Sequence, residues 1–179
     1  MYYSTTYLSP LGELTLGSDG DRLIGLWLKG QKHFGAAVLK ELSPNDNLPI
    51  FSITQEWLER YFAHEKPHPS ELPLHLIGTE FRQRIWRRLC QIPYGSVITY
   101  GALARAVASQ SGRISMSSQA VGGAVAHNPI SIIIPCHRVV GANGSLTGYA
   151  GGIETKMRLL AHEGADLSDL HVPTKGTAL

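Results

Sequence analysis

Three prolines, Pro67, Pro69 and Pro73 in the stretch Glu65–Pro73, constrain this chain more than any other feature. A proline ring fixes φ and removes a backbone donor, so neither a helix interior nor a central strand runs through the stretch. The chain is divided there, and the two parts carry different hydrophobic patterns. Residues 1–76 read as strands with some helix, residues 77–165 as helices, and residues 166–179 as a flexible tail with no assigned role. The division predicts an α+β fold: a small N-terminal α/β domain followed by a mostly helical domain.

In the first part, Leu8-Ser9-Pro10-Leu11-Gly12 and Ser18-Asp19-Gly20-Asp21 are turn sequences between short apolar runs. Leu23 to Leu28 reads as a buried strand, His33 to Leu42 as a helix, Asn45 to Pro49 as loop and Thr54 to Ala63 as a helix. The second part opens with a helix. Thr79 can cap it, Phe81, Ile85, Leu89 and Ile92 recur at helical spacing, and Pro93-Tyr94-Gly95 stops it. Thr99 can cap a helix over Tyr100 to Val107, and Ser117 or Ser118 a second one through His127, ended by Asn128-Pro129.

Two short helices with a connector suggest a helix-turn-helix, which can place its second helix in a DNA groove. That second helix is built from Ala and Gly. Each of Gly122 and Gly123 costs about 1 kcal/mol of helix stability relative to Ala. Close approach to a DNA backbone would account for that cost, and so would tight packing against another element.

Charge points the same way. The net charge of +2 conceals a basic second part. Residues 1–76 carry 6 Lys+Arg against 9 Asp+Glu, and residues 77–165 carry 9 against 3. A basic surface suits a polyanion, although an ordinary solvated surface has the same composition. Two cysteines, Cys90 and Cys136, argue against a disulfide framework and exclude a four-cysteine zinc site. No window is apolar enough to span a bilayer, and the N-terminus lacks a secretory signal pattern. A cytoplasmic protein with no membrane association is expected.

The chemistry concentrates in Ile132-Ile133-Ile134-Pro135-Cys136-His137-Arg138-Val139-Val140. The isoleucines predict a buried strand that delivers Cys136 and His137 at its end. A cysteine nucleophile reacts as the thiolate and needs a base or a cation beside it. His137 and Arg138 could serve, and Glu163 could orient the histidine. The alternative is a packed thiol beside a satisfied histidine. Cys90 has no such neighbours and reads as packing.

Pro135-Cys136-His137-Arg138-Val139 resembles the active-site signature of the O6-alkylguanine-DNA alkyltransferases, also called methylated-DNA–protein-cysteine methyltransferases. Ala120-Val121-Gly122-Gly123-Ala124 with Asn128-Pro129, Tyr100-Gly101, and Gly148-Tyr149-Ala150-Gly151-Gly152 with Lys156 and Leu159 to Gly164 resemble further motifs of that family, in order, from about Gly78 to Gly164. The resemblance implies a ribonuclease-H-like N-terminal domain and a winged-helix or helix-turn-helix-like second domain. It implies DNA repair by single-use transfer of an alkyl group from O6-alkylguanine, and from O4-alkylthymine, to Cys136. His137 would deprotonate the thiol through a water, Glu163 would orient His137, and Asn128 would brace the turn behind the recognition helix. Tyr100 would donate a proton to the departing guanine. Tyr149, Ala150, Gly151, Val139 and Lys156 would form the base pocket, with backbone carbonyls near Cys136 and Val139 accepting from the exocyclic amine. Ser118, Gln119, Ala120, Gly122, Gly123 and Arg138 would meet double-stranded DNA through the minor groove, with little sequence preference. Arg82, Arg84, Arg105 and Arg113 are candidate phosphate contacts. No cofactor or metal is implied, and a monomer is expected.

Two departures stand out. Gln119 occupies the place of the family's arginine, which fills the gap left by the flipped base. Ala150 stands where some relatives carry a hydroxyl, leaving only a backbone contact to O6. A lesion sensor would lack the acceptor cysteine that is present here. A cysteine hydrolase would leave the Gly/Ala helix and Asn128-Pro129 unexplained.

Overall fold

A computed structural model describes residues 1–35, 38–112 and 115–174. It divides into two compact units, residues 1–78 with 129–133, and residues 79–128 with 134–179.

The first unit is built on a four-stranded sheet: β1 (Tyr2–Ser9), β2 (Gly12–Ser18), β3 (Leu23–Leu28) and β4 (Leu42–Pro44), in the order β3-β2-β1-β4. β1 and β2 form an antiparallel hairpin closing at Ser9 opposite Gly12, β2 pairs antiparallel with β3, and β4 adds parallel to β1. All six residues of β3 are buried, as its apolar run requires. Trp27 lies over Gly17 and Gly25; a Cβ on Gly25 would stand 1.9 Å from its ring, so that position admits only glycine. Helix α1 (Pro49–Phe62) buries Ile50, Phe51, Thr54, Trp57, Leu58 and Tyr61 along one face. It starts earlier than its apolar spacing suggests because Pro49 is preset for the first helical turn.

No helix spans 33–42 among the described residues. His33 and Gly35 take positive φ, and only the turn Leu39–Glu41 is helical before β4; Ala36 and Ala37 lie outside the described residues. Residues 129–133 join this unit because they add to the edge of β3. The Leu26 amide donates to Pro129 O (3.0 Å), and the Ser131 amide donates to Leu26 O (2.9 Å).

The second unit contains α2 (Glu80–Leu89), α3 (Tyr100–Gln110), α4 (Ser118–Ala126) and α5 (Ile153–His162), with a two-residue parallel pair of β5 (Ile98–Thr99) and β6 (Val139–Val140). Thr79, Thr99 and Ser117 cap α2, α3 and α4 by accepting from the amides of Arg82, Ala102 and Ala120. The Trp86 indole of α2 donates to Ala124 O of α4 (2.8 Å), pinning one helix to the other.

The expected strand at Ile132–Ile134 does not form, although all three side chains are buried. The chain turns on itself there: the Ile133 amide donates to Ser131 O and the Cys136 amide to Ile134 O, both at 2.8 Å. Ile132 takes φ +70, which costs a β-branched residue about 1–3 kcal/mol. Burial of the isoleucines, not strand pairing, explains the apolar run. Of the expected flexible tail, residues 166–171 fold back with Ala165 onto the loop after β6, and residues 175–179 lie outside the described residues.

Candidate active site

Every candidate catalytic residue lies in the second unit. Cys136 opens a single helical turn, Cys136–Arg138, and is 4% exposed. That turn lets the neighbouring side chains of His137 and Arg138 reach one carboxylate, Glu163, whereas successive side chains of a strand point to opposite faces.

Asn128 follows the C-terminus of α4. Its Nδ2 donates to Ile134 O (2.8 Å) and to Cys136 Sγ (3.1 Å). The amide therefore ties the turn to the end of α4 and also offers the sulfur a donor that strengthens as the thiolate forms. Burial pushes the Cys136 thiol above its ordinary value, while the Asn128 hydrogen bond and the Lys156 charge pull it back. At rest the group is a thiol.

His137 is wholly buried, and burial lowers its pKa, so the ring is neutral near pH 7. Its Nε2 lies 2.7 Å from Glu163 Oε1. A carboxylate accepts only, so the proton sits on Nε2 and Nδ1 is left as an acceptor. Nδ1 is buried and has no hydrogen-bond partner among the described residues. A neutral histidine with its basic lone pair unspent, next to a cysteine in sequence, can serve as a general base.

Glu163 sits at the C-terminal end of α5 and gathers four donors. They are His137 Nε2, Arg138 Nε (2.8 Å), Arg138 Nη2 (2.9 Å) and the Gly95 amide (3.1 Å). Burial alone would raise its pKa; the His137 hydrogen bond and the Arg138 pair outweigh burial and hold the carboxyl well below the usual range. Arg138 is thus an internal partner of Glu163 and of Ile92 O (2.5 Å), 7% exposed, and its guanidinium lies 5.7 Å from the centre of the Tyr94 ring. This corrects its expected place among the DNA contacts. Its planar fork matches a carboxylate with two bonds, and burial keeps that pair from water. Gly95 read only as a helix stop. Here a Cβ on it would stand 2.7 Å from Glu163 O, so glycine is required twice, for space and for its φ of +76.

Lys156 is fully buried on α5, with Nζ donating to Val139 O (2.5 Å) and Thr147 O (2.8 Å). Burial brings its pKa down to about 8, against the pull of Cys136. One of the carbonyls expected to receive a guanine amine, Val139 O, thus already accepts from Lys156. Tyr100, at the start of α3, donates to Thr147 O (3.2 Å), and burial raises its pKa, so the hydroxyl keeps its proton. Gly148 is essential to this arrangement, because a Cβ there would stand 2.6 Å from the Tyr100 hydroxyl. Tyr149 is 7% exposed and meets the His137 ring edge-on at 6.4 Å, while Ala150 and Gly151 are half-buried. The side chain of Thr147 carries no functional signal. Its carbonyl joins Tyr100 to Lys156, and backbone roles leave no mark on residue type.

On α4, Val121, Ala124 and Val125 are buried, whereas Ser118, Gln119, Ala120 and Gly123 are exposed. Arg84 is tied to Ser111 Oγ and Glu80 Oε1, both at 2.8 Å. Arg82 is half-buried, Arg105 is exposed, and Arg113 lies outside the described residues. No three His, Cys, Asp or Glu side chains among the described residues come together to hold a metal, and no described helix is long and apolar enough to cross a membrane.

Residues 1–76 match the family model described as the 6-O-methylguanine DNA methyltransferase ribonuclease-like domain. Residues 80–165 match the DNA binding domain of the same family. The methylated-DNA–protein-cysteine methyltransferase of Haemophilus influenzae is 41% identical over 161 residues, 90% of this chain and 86% of that protein. The crystal structure of the Mycobacterium tuberculosis O6-methylguanine methyltransferase is similar at 39% identity and a TM-score of 0.76, covering 98% of this chain and 97% of that one. A Mycobacterium tuberculosis OGT structure in complex with DNA is similar at 41% identity and a TM-score of 0.75, over 90% and 91% of the two chains.

Proposed function

The chain belongs to the 6-O-methylguanine DNA methyltransferase family, and we propose that it repairs DNA by moving a methyl or larger alkyl group from guanine O6 to the sulfur of Cys136. One observation carries this reading: Cys136 Sγ accepts from Asn128 Nδ2 beside a neutral His137 whose Nε2 is fixed on Glu163.

The O6 carbon lies inside the duplex, so the nucleotide must first leave the stack, at a cost of a few kcal/mol. His137 Nδ1 then takes the thiol proton through a bridging water. The thiolate attacks the alkyl carbon, a carbon–sulfur bond forms, and the carbon–O6 bond breaks with its electron pair going to guanine. Tyr100 donates a hydrogen bond to the departing base, and the proton removed from the thiol balances the one guanine regains. Lys156 and Asn128 favour the thiolate over the thiol. A thioether has no hydrolytic route back, so each molecule acts once. O4-alkylthymine presents the same alkyl–oxygen bond and belongs to the same substrate class.

Tyr149, Ala150, Gly151 and the Val139 backbone wall the flipped base. The exposed face of α4, with Ser118, Gln119, Ala120 and Gly123, half-buried Gly122 beside it, enters the minor groove, where readout is degenerate and sequence preference is weak. One chain supplies every group this chemistry uses, so a monomer suffices.

Intact mass before and after incubation with a duplex carrying O6-methylguanine tests the proposal. A stoichiometric gain of one methylene unit on the Cys136 peptide, absent in Cys136→Ser, is expected. Tight lesion binding without that gain would instead make the chain a sensor.

A further inference from the structure

We propose that residues 165–171 form a strap that holds the loop after β6 in its reactive shape, making Leu167 and Leu170 positioning residues for alkyl transfer; the inference rests on the proposed roles of Tyr100 and Lys156.

Three kinds of contact bind the strap to the loop. The Leu146 amide donates to His171 O (2.9 Å), and the His171 amide donates to Gly144 O (3.1 Å). Leu167 and Leu170 pack against the buried cluster of Val140, Leu146 and Leu160. Gly144, at φ +76, lets the strap approach; a Cβ there would stand 2.0 Å from Asp169 O. That is far inside van der Waals contact, so the loop and the strap are shaped to each other.

The strapped loop ends at the site. Leu146 precedes Thr147, whose carbonyl receives both the Tyr100 hydroxyl and Lys156 Nζ. Thr147 precedes Gly148, whose missing side chain makes room for that hydroxyl. A loop with glycines at 141, 144 and 148 has many conformations open to it. The backbone bonds to His171 and the seating of Leu146 select one of them, so the strap sets where the Thr147 carbonyl stands. Misplacing a reacting group by about 1 Å can cost a rate on the order of a hundredfold.

The test uses the full chain, a chain ending at Gly164, and Gly144→Ala in both, with Leu170→Ala and Leu170→Met in the full chain. The probe is an O6-methylguanine duplex. The readouts are single-turnover rate at saturating DNA, Kd for the same duplex, and amide exchange across residues 141–149. The shortened chain is expected to keep its Kd, to transfer roughly tenfold or more slowly, and to exchange faster across the loop. Gly144→Ala should slow the full chain much more than the shortened one, where Asp169 is gone. Leu170→Ala should slow transfer and Leu170→Met restore it. Unchanged exchange in the shortened chain would overturn the strap whatever the rates. So would full-rate transfer, a parallel loss of rate and affinity, or equal slowing by Gly144→Ala in both chains. A full chain that leaves Cys136 unmethylated would overturn the proposed function instead, and loop exchange would still decide the strap.

Discussion

Gly123→Ala separates what α4 needs in order to fold from what it needs in order to bind. A helical glycine is about 1 kcal/mol worse than alanine, because its backbone loses more freedom on folding. Packing often explains such a glycine, but it does not explain this one. A Cβ at Gly123 would meet no described atom within 4 Å, and one at Gly122 would sit 3.8 Å from the Tyr100 ring, an ordinary contact. Alanine at 123 should therefore stabilise the protein by about 1 kcal/mol and raise Tm by about 2–4 °C for a chain of this size. If the bare backbone of α4 lies against DNA, the added methyl holds the two surfaces apart. Duplex affinity should then fall roughly tenfold, equivalent to about 1.4 kcal/mol. Thermal and urea unfolding, read beside fluorescence anisotropy on a labelled duplex, measure both effects. Lower stability would show that Gly123 serves packing. Higher stability with unchanged affinity would refute the argument that the missing side chain serves DNA.

Other outcomes follow from the buried charges and from α4. The contribution of His137 to stability should be fullest well above pH 6.5, where the ring is neutral in both states, and should decline as pH falls and the unfolded ring takes up a proton that the buried ring resists. Stability should decline further as pH falls below about 4.5, where the unfolded Glu163 protonates while the folded carboxylate stays ionised; urea unfolding across this range checks both signs. Glu163→Gln should cost about 3–5 kcal/mol in the same assay, because Arg138 is left buried without its counter-charge. Transfer should slow above pH 8 as Lys156 loses its proton, and Lys156→Met should lower the rate and remove that alkaline limb in a pH-rate profile. Gln119→Arg should speed transfer from duplex DNA by supplying a longer planar cation; an equal or slower single-turnover rate would count against an intercalating role at that position.

Some of this protein was legible in the residues themselves. Proline at 67, 69 and 73 cannot sit in a helix interior or a central strand, so an irregular stretch was readable there. The two units divide further on, after residue 78, and Pro73 and His75 bond to Leu23 of β3. Thr79, Thr99 and Ser117 announced their helices because a cap needs only a side-chain oxygen at one position. Cys136, His137 and Glu163 could be named because side-chain chemistry is carried by residue type. The tertiary structure decided the rest, for two physical reasons. Apolar β-branched runs report burial and not backbone shape, so Ile132–Ile134 suggested a strand where the chain turns. Backbone groups carry no identity, so the Gly95 amide on Glu163, the Thr147 carbonyl between Tyr100 and Lys156, and the hold of residues 165–171 on the loop could be seen only once distant segments met. Arg138 shows both limits together. Its sequence marks a cation beside a nucleophile, and only the fold turns that cation inward to Glu163.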